Sequence, residues 1–233
     1  MVQNHRYRES FFTIAMLAIS LLISFPLING YILDAVGRRP GTVEMAILLL
    51  IEATITVAAL VRLRPGPYRL QPTRLAAGGL VFLLALLIGL YIAWPSLLPV
   101  SRSVDVVAHF SRHYQMVDSS ELAATAGYPF GAVMMFVLIA KALQLPSIFL
   151  MHPTAALVVA VTALFAYAVA TEMTEDTALS HGSALVVLPL LLLPAAYTIG
   201  QFTRDFYLTQ TLGVAYVVVL WYWAIRYVGN SGR

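Results

Sequence analysis

The sequence predicts an all-α protein, a polytopic bundle of transmembrane helices, and three observations lead to this fold class. Of the 233 residues, 60% are hydrophobic and only 11% are charged, whereas soluble domains carry about 25% charged residues. The apolar runs are long and uninterrupted, unlike the alternating segments of about ten residues that build a membrane β-barrel. A helix also satisfies its own backbone polar groups, which makes it the default form inside a bilayer.

The charges and the missing residue types exclude several function classes. The chain has no cysteine, which excludes disulfides, thiolate metal sites and thiol catalysis. Its net charge of +3 is small and its arginines lie at predicted helix ends, so a lipid bilayer is the expected partner and nucleic acid is not. The first apolar run is about twenty residues long, which exceeds the core of a signal peptide, so we expect a retained span.

Residues 1–74 form the first predicted unit, with two spans and a basic loop. The spans are predicted at Phe11–Leu33 and Met45–Val61, and the prolines of the following loop, RLRPGPYRLQPTR, prevent further helix. Glu52 lies within the second span, where an ionisable side chain is costly. Because no Lys or Arg lies at a similar depth, we expect a protonated Glu52 packed between helices and no proton relay.

Residues 75–233 form the second predicted unit, which contains an external loop over residues 95–148. Within that loop, the apolar block Ala132–Leu145 is only about fourteen residues long, which is short for a crossing and typical of an interfacial or re-entrant helix. The spans of this unit are predicted at Leu75–Trp94, Phe149–Ala170, Ala184–Gly200 and Phe206–Tyr227. The whole chain therefore has six predicted spans, or seven if the block 132–145 also crosses.

The distribution of Lys and Arg predicts that the N-terminus is inside a cytoplasmic (plasma) membrane. With six or with seven spans, eight of the 14 basic residues lie inside and six outside. The positive-inside rule therefore favours this orientation. It does not decide whether the block 132–145 crosses.

The external loop carries the first candidate site, on an amphipathic helix predicted from residue 103 to residue 117. Asp105, His109 and His113 follow one another at intervals of four, so their side chains are neighbours on one polar face with Arg112. An Asp–His pair can act as a general base with its orienting partner, or as two ligands of a divalent cation. From the spacing alone, the solvated face of an interfacial helix is the simpler interpretation.

The second candidate site is the junction of Arg204 and Asp205 between the last two predicted spans. A planar guanidinium is well suited to a phosphate, so Arg204 is a candidate phosphate ligand. The alternative is structural, because an Asp at the start of a helix caps its backbone N–H groups.

Taken together, these elements resemble the N-terminal module of the GT-C glycosyltransferases, over residues 75–228. Four motifs carry the resemblance. The first two are Asp105-Val-Val-Ala-His109, which follows a span, and Tyr128-Pro129-Phe130-Gly131, which opens a short helix that ends in AKALQL. The other two are Pro146-Ser147, which precedes a span ending in FAYAVATEM, and a later span that ends in LLPAAYTIGQFTRDFYL.

The resemblance implies an enzyme that transfers a sugar from a polyprenyl-phosphate donor at the external membrane face. It assigns the role of catalytic base or metal-bound carboxylate to Asp105, with His109 in support. Arg204 and Asp205 would help to hold the donor phosphates or the metal, with Tyr128 and Arg112 as further substrate-binding residues. The sequence establishes no cofactor. The candidate is a divalent cation, Mg²⁺ or Mn²⁺, with Asp105, His109 and His113 as its candidate ligands.

The sequence also departs from the family pattern. A second acid next to Asp105 and a DxD motif at the junction are both missing. The chain ends at residue 233, whereas typical members continue with further helices. We therefore expect either a partner, a second membrane protein or another copy, that supplies the remaining helices, or a non-catalytic membrane subunit of a larger complex.

Overall fold

The computed structural model describes residues 11–36, 42–62, 72–93, 140, 144–145, 149–174, 182 and 208–231. This part of the chain is helical without strands, which confirms the all-α prediction for it. Its long helices are α1 (Phe11–Ala35), α2 (Thr42–Arg62), α3 (Pro72–Ala93), α4 (Met151–Met173) and α5 (Leu208–Ser231). Each lies on a predicted span, with ends that differ by a few residues. The span predicted at Ala184–Gly200 lies outside the described residues.

Two stretches of these helices are long and apolar enough to cross a membrane. They are Pro72–Tyr91 in α3 and His152–Met173 in α4, with mean hydropathies of 2.1 and 2.0. The other three long helices contain shorter apolar segments, Phe12–Phe25, Ala46–Ala59 and Leu212–Tyr227. The number of spans, six or seven, stays a prediction.

Helix α4 is the centre of the fold, and α3 and α5 pack against it. Small side chains let neighbouring helix backbones approach closely, which is the usual way in which helices pack inside membranes. The alanines of α4 that are fully buried are Ala155, Ala156, Ala160, Ala163 and Ala168.

Two glycines of α3 lie where that helix meets its neighbours. A Cβ atom added at Gly89 would lie 3.0 Å from the Cβ of Ala156, and one at Gly78 would lie 3.1 Å from the ring of Phe12. By contrast, a Cβ atom added at Gly79 would meet nothing within 4 Å. Positions 78 and 89 of α3 therefore require a small residue, whereas position 79 can hold a larger side chain.

Two ion pairs show how α3, α4 and α5 run relative to one another. Arg74, in the first turn of α3, and Arg226, near the end of α5, both bond to Glu172 near the end of α4. Helices α3 and α4 are therefore antiparallel, and α4 and α5 are parallel. We call the end of the bundle that holds these three residues the arginine end. The opposite end holds the last turn of α3 and the first turns of α4 and α5.

Helix α1 is joined to the other helices largely by aromatic and polar contacts. At the arginine end, the Phe12 ring meets the Tyr167 ring edge-on, with 6.4 Å between centroids. Further along α1, the Tyr216 hydroxyl donates a hydrogen bond of 2.6 Å to the carbonyl of Ile23. The Trp223 indole N–H likewise donates to the Ser20 hydroxyl, at 2.9 Å. The start of α1 therefore lies at the arginine end.

A helix turn ends at Gln144, where the short apolar helix of the external loop was predicted to end. Ala140 is helical, and the Leu145 N–H bonds to the Ala140 carbonyl at 3.2 Å. Gln144 has a φ of 52°, in the left-handed region. Together with the bond from Leu145 to Ala140, this conformation is that of a Schellman C-cap at a helix end. The predicted end of this helix is confirmed. Its start, at the Tyr128 element, lies outside the described residues.

Candidate functional site

The residues predicted to carry chemistry lie outside the described part of the chain. This applies to the catalytic pair, the candidate cation ligands, the phosphate-binding junction and the other substrate-binding residues: Asp105, His109, Arg112, His113, Tyr128, Arg204 and Asp205. Their roles stay predictions. The described helices nevertheless show at which end of the bundle the segments that carry these residues are attached.

Those segments are attached at the opposite end of the bundle. Helix α3 ends there at Ala93, and the chain returns there to start α4 at Met151. Helix α5 also starts at that end, at Leu208, four residues after Arg204. His152, in the first turn of α4, is buried with 2% of its surface exposed. Both ends of the external loop and the start of α5 thus lie at one end of the bundle.

The most connected polar group in the described residues is the arginine cluster, formed by Arg74, Glu172 and Arg226. Arg74 Nη2 donates to Glu172 Oε1 at 2.7 Å. Arg226 Nη1 donates to Glu172 Oε1 at 3.3 Å and to Oε2 at 3.2 Å. The side chains are only 13–19% exposed, so water screens these charges weakly. One carboxylate thus ties the ends of three helices together.

The surroundings of the cluster hold Arg74 in a fixed position. Its Nη2 atom also donates to the Thr171 hydroxyl at 2.6 Å. Its guanidinium carbon lies 4.6 Å from the centre of the Phe12 ring, within the range of a cation–π contact. The Tyr167 hydroxyl is buried nearby and has no hydrogen-bond partner among the described residues. These contacts indicate a structural role for the arginine cluster, which holds helix ends together.

A second polar contact joins α1 and α2. The Asn29 side-chain amide donates a hydrogen bond to Glu52 Oε1. Both residues are buried, with 3% and 8% of their surfaces exposed. Glu52 therefore packs between helices, as predicted, with an amide as its partner. The sequence did not identify Asn29 as that partner.

The described residues contain no group of three or more His, Asp or Glu side chains that could hold a metal ion. Neither the arginine cluster nor the Asn29–Glu52 pair offers the carboxylate and imidazole ligands that a catalytic cation needs. The candidate ligands of the predicted divalent cation all lie outside the described residues, so the cation stays a prediction.

The arginine cluster is the feature that the sequence did not reveal. Arg74 and Glu172 are separated by 98 positions, and no local spacing links them. The available signal was topological, because the predicted six-span arrangement would put Arg74, Glu172 and Arg226 on the same side of a membrane.

No family model, no curated protein and no solved structure matches this chain.

Proposed function

We propose that this chain is a membrane-embedded, GT-C-like glycosyltransferase, or one half of such an enzyme. It transfers a sugar from a polyprenyl-phosphate donor at the external face of the plasma membrane, with its N-terminus inside. The observation that carries the proposal is the arginine cluster. Since Arg74 and Arg226 meet on Glu172 at one end of the bundle, the loop with Asp105 and the junction with Arg204 are attached at the other.

The surface of the helices supports the membrane part of the proposal. An apolar stripe on the outer face of α3 is about half exposed and ends at Tyr91, which is 80% exposed. At the arginine end, Tyr227 is 62% exposed. Aromatic side chains at both ends of apolar helices are typical of the two membrane interfaces. From His152 to Glu172, α4 rises about 30 Å, which is the thickness of the hydrocarbon core.

The directions of the helices support six spans. Because residue 93 and residue 151 lie at the same end of the bundle, the proposal requires an even number of membrane crossings between them. The block 132–145 is the one apolar block in that interval that could cross. A single crossing there would put Arg74 and Glu172 at opposite ends, although their side chains are 2.7 Å apart.

The proposed chemistry follows from the charges that develop during glycosyl transfer. The sugar becomes more positive and the leaving lipid phosphate more negative, so the transition state needs a carboxylate on one side and a cation on the other. As the acceptor oxygen bonds to the anomeric carbon, Asp105, supported by His109, accepts the proton of the acceptor hydroxyl, or else binds the metal. The bond from the anomeric carbon to the phosphate oxygen breaks, and Arg204 stabilises the lipid phosphate that leaves. Arg112, Tyr128 and Asp205 complete the binding of the donor.

Cysteine labelling tests the six-span arrangement directly, because the chain has no natural cysteine. Single variants Ser180→Cys and Thr203→Cys are treated in intact cells with a membrane-impermeant maleimide. We expect labelling of the residue at 203 from outside and of the residue at 180 only after lysis. The reverse pattern would remove the proposed site, because Arg204 would then be internal.

Lipid-linked sugar transfer tests the catalytic assignment. The variant Asp105→Asn removes the proposed base, and Asp118→Asn is the matched control because it makes the same change in the same loop. With any membrane partner present, we expect Asp105→Asn to lower turnover by about 10²–10⁴-fold, the usual contribution of a general base. The control is expected to remain close to wild type. Unchanged turnover of Asp105→Asn would refute the assignment.

One observation favours the alternative, a non-catalytic subunit. Helix α2 packs mainly on α1, and its exposed apolar side chains include Val43, Leu50 and Val57 at 58–69% exposure. Such a surface can accept the helices of a partner as well as lipid. Purification in mild detergent would support this alternative if a stoichiometric partner is recovered and Asp105→Asn leaves the activity of the complex unchanged.

A further inference from the structure

Helix α2 buries an acid and exposes its apolar side chains. Among the residues of α2 whose burial the structure describes, Glu52 is the only buried one. Large apolar side chains around it are 48–69% exposed: Val43, Ile47, Leu50, Ile51, Ile55 and Val57. In lipid there is no hydrophobic driving force that brings helices together. A polar group therefore determines which face of α2 lies against the bundle.

The face of α2 that contacts the rest of the bundle contains Glu52. The less exposed residues of α2 recur at intervals of three or four and so share one side of the helix: Glu44, Leu48, Glu52, Thr56 and Ala59. This face packs mainly on α1. In α1, Asn29 is the only residue after Ile23 that the structure describes as buried, and its amide donates to Glu52 Oε1. A single buried polar pair thus joins the two helices.

Glu52 lies in the middle of α2, far from water and from cations. It is ten positions from either end of the helix, which is about 15 Å at 1.5 Å per residue. The other titratable or charged residues of α1 and α2 are Tyr31, Asp34, Glu44 and Arg62, and Arg62, the one cation in this set, is at the far end of α2. An ionised carboxylate without a cation is very costly in apolar surroundings, so the carboxyl keeps its proton.

We propose that Glu52 and Asn29 form a proton-dependent latch between α1 and α2. A protonated carboxyl has one donor and one acceptor, and an amide has the complementary pair. Asn29 Nδ2–H donates to Glu52 Oε1, and in the latch Glu52 Oε2–H donates to Asn29 Oδ1 in return. When the carboxyl gives its proton to water, the second bond is lost and a charge is left in the middle of α2. Helix α2 then separates from α1, and the carboxylate reaches water.

The pH dependence of the latch has a definite sign and slope. Attached α2 holds the proton, whereas a carboxyl in water is ionised at neutral pH. Each separation therefore releases one proton, and the ratio of separated to attached α2 rises about tenfold for each pH unit. Attachment is complete at low pH and is lost as the pH rises. The latch requires α2 to lie in the membrane, as in the proposed function, but it requires none of the catalytic residues.

Dipolar EPR on the full chain in lipid vesicles tests the latch, and the chain has no natural cysteine to interfere. Spin labels on an Ile32→Cys/Ile51→Cys pair report the distance between α1 and α2, at side chains that are about half exposed. A Leu80→Cys/Val217→Cys pair reports the distance between α3 and α5. From about pH 5 to about pH 10, a range that includes the titration of buried carboxyls, we expect the first distance to lengthen and the second to stay constant.

Two matched variants identify the carboxyl that responds to pH. Glu52→Gln keeps a donor and an acceptor for Asn29 but has no proton to lose, so its distance between α1 and α2 should not depend on pH. Glu44→Gln removes the other carboxyl on the same face and should respond to pH as the wild-type chain does. A pH response in Glu52→Gln, or none in the wild-type chain, would overturn the latch.

Infrared spectroscopy detects the proton itself. A protonated carboxyl and a carboxylate absorb at different frequencies, so the wild-type spectrum at neutral pH should contain a carboxylic-acid band that Glu52→Gln lacks. This band should disappear over the same pH range in which the distance between α1 and α2 lengthens. If wild type and Glu52→Gln gave the same spectrum in this region, Glu52 would be ionised at neutral pH and the latch would be refuted.

The latch and the proposed function fail in different ways. If the wild-type chain transfers no sugar, with its partner present, the proposed function is refuted, whereas the EPR distances still decide the latch. If transfer is seen but the distance between α1 and α2 does not respond to pH, the latch is refuted and the proposed function stands.

Discussion

The arginine cluster should contribute measurably to stability, and Glu172→Gln is the change that tests it. The carboxylate accepts three hydrogen bonds from two guanidinium groups. The amide of Gln offers one acceptor oxygen, and its NH₂ group faces a positive charge. Both ion pairs are therefore lost, while the shape of the side chain is kept.

The burial of the cluster determines how much Glu172→Gln should lower the free energy of unfolding. Removing one member of a fully buried ion pair costs about 3–5 kcal/mol, whereas a fully exposed pair contributes about 0–1 kcal/mol. Glu172 is 16% exposed, which places it between these limits and nearer the first. We therefore expect Glu172→Gln to lower the free energy of unfolding by about 2–3 kcal/mol.

Reversible unfolding in mixed micelles with increasing SDS measures this loss. Glu44→Gln is the control, because Glu44 has no ion pair within the described part of the chain and should change stability by less than about 0.5 kcal/mol. A double-mutant cycle with Arg74→Gln should give a coupling energy of about 1–2 kcal/mol. The reasoning would be wrong if Glu172→Gln behaved like Glu44→Gln, or if the cycle gave no coupling.

Further substitutions test single hydrogen bonds inside the bundle. Asn29→Ala should lower the free energy of unfolding by about 0.6–1.7 kcal/mol, from the average to the largest value for hydrogen bonds between membrane helices. Glu52→Gln should lower it less, because the amide oxygen of the new Gln still accepts the bond from Asn29. Tyr216→Phe should cost about 1 kcal/mol through loss of its bond to a carbonyl. Tyr167→Phe should stabilise by about 1 kcal/mol, since it removes a buried hydroxyl that has no partner in the described part of the chain. SDS unfolding measures all four, and a destabilised Tyr167→Phe would contradict this account.

The sequence predicted the helices well because hydropathy is a local property. An apolar stretch of about twenty residues forms a helix in a membrane whatever lies beside it, so α1 to α5 were found with their ends displaced by only a few residues. The short helix of residues 132–145 was predicted to end with its apolar block, and the left-handed Gln144 lies one residue before the end of that block.

Contacts between helices were harder to predict, because no rule links residues that are distant in sequence. The partner of Glu172 depends on which helix ends meet, and the partner of Glu52 depends on how α1 faces α2. The glycines illustrate the same limit. Gly78 and Gly79 are neighbours in sequence, yet one lies against Phe12 and the other faces open space.

The long separation of Arg74 from Glu172 has a consequence for biosynthesis. The two residues are 98 positions apart, and ribosomes add about 5–20 residues per second. Arg74 therefore emerges roughly 5–20 s before its carboxylate. In the proposed membrane arrangement, the new α3 can rest in the bilayer during that interval only with Arg74 among water and lipid head groups. Glu172 of α4 then pairs with Arg74, and the cluster at this end is complete only when α5 brings Arg226, 54 positions later, to the same carboxylate.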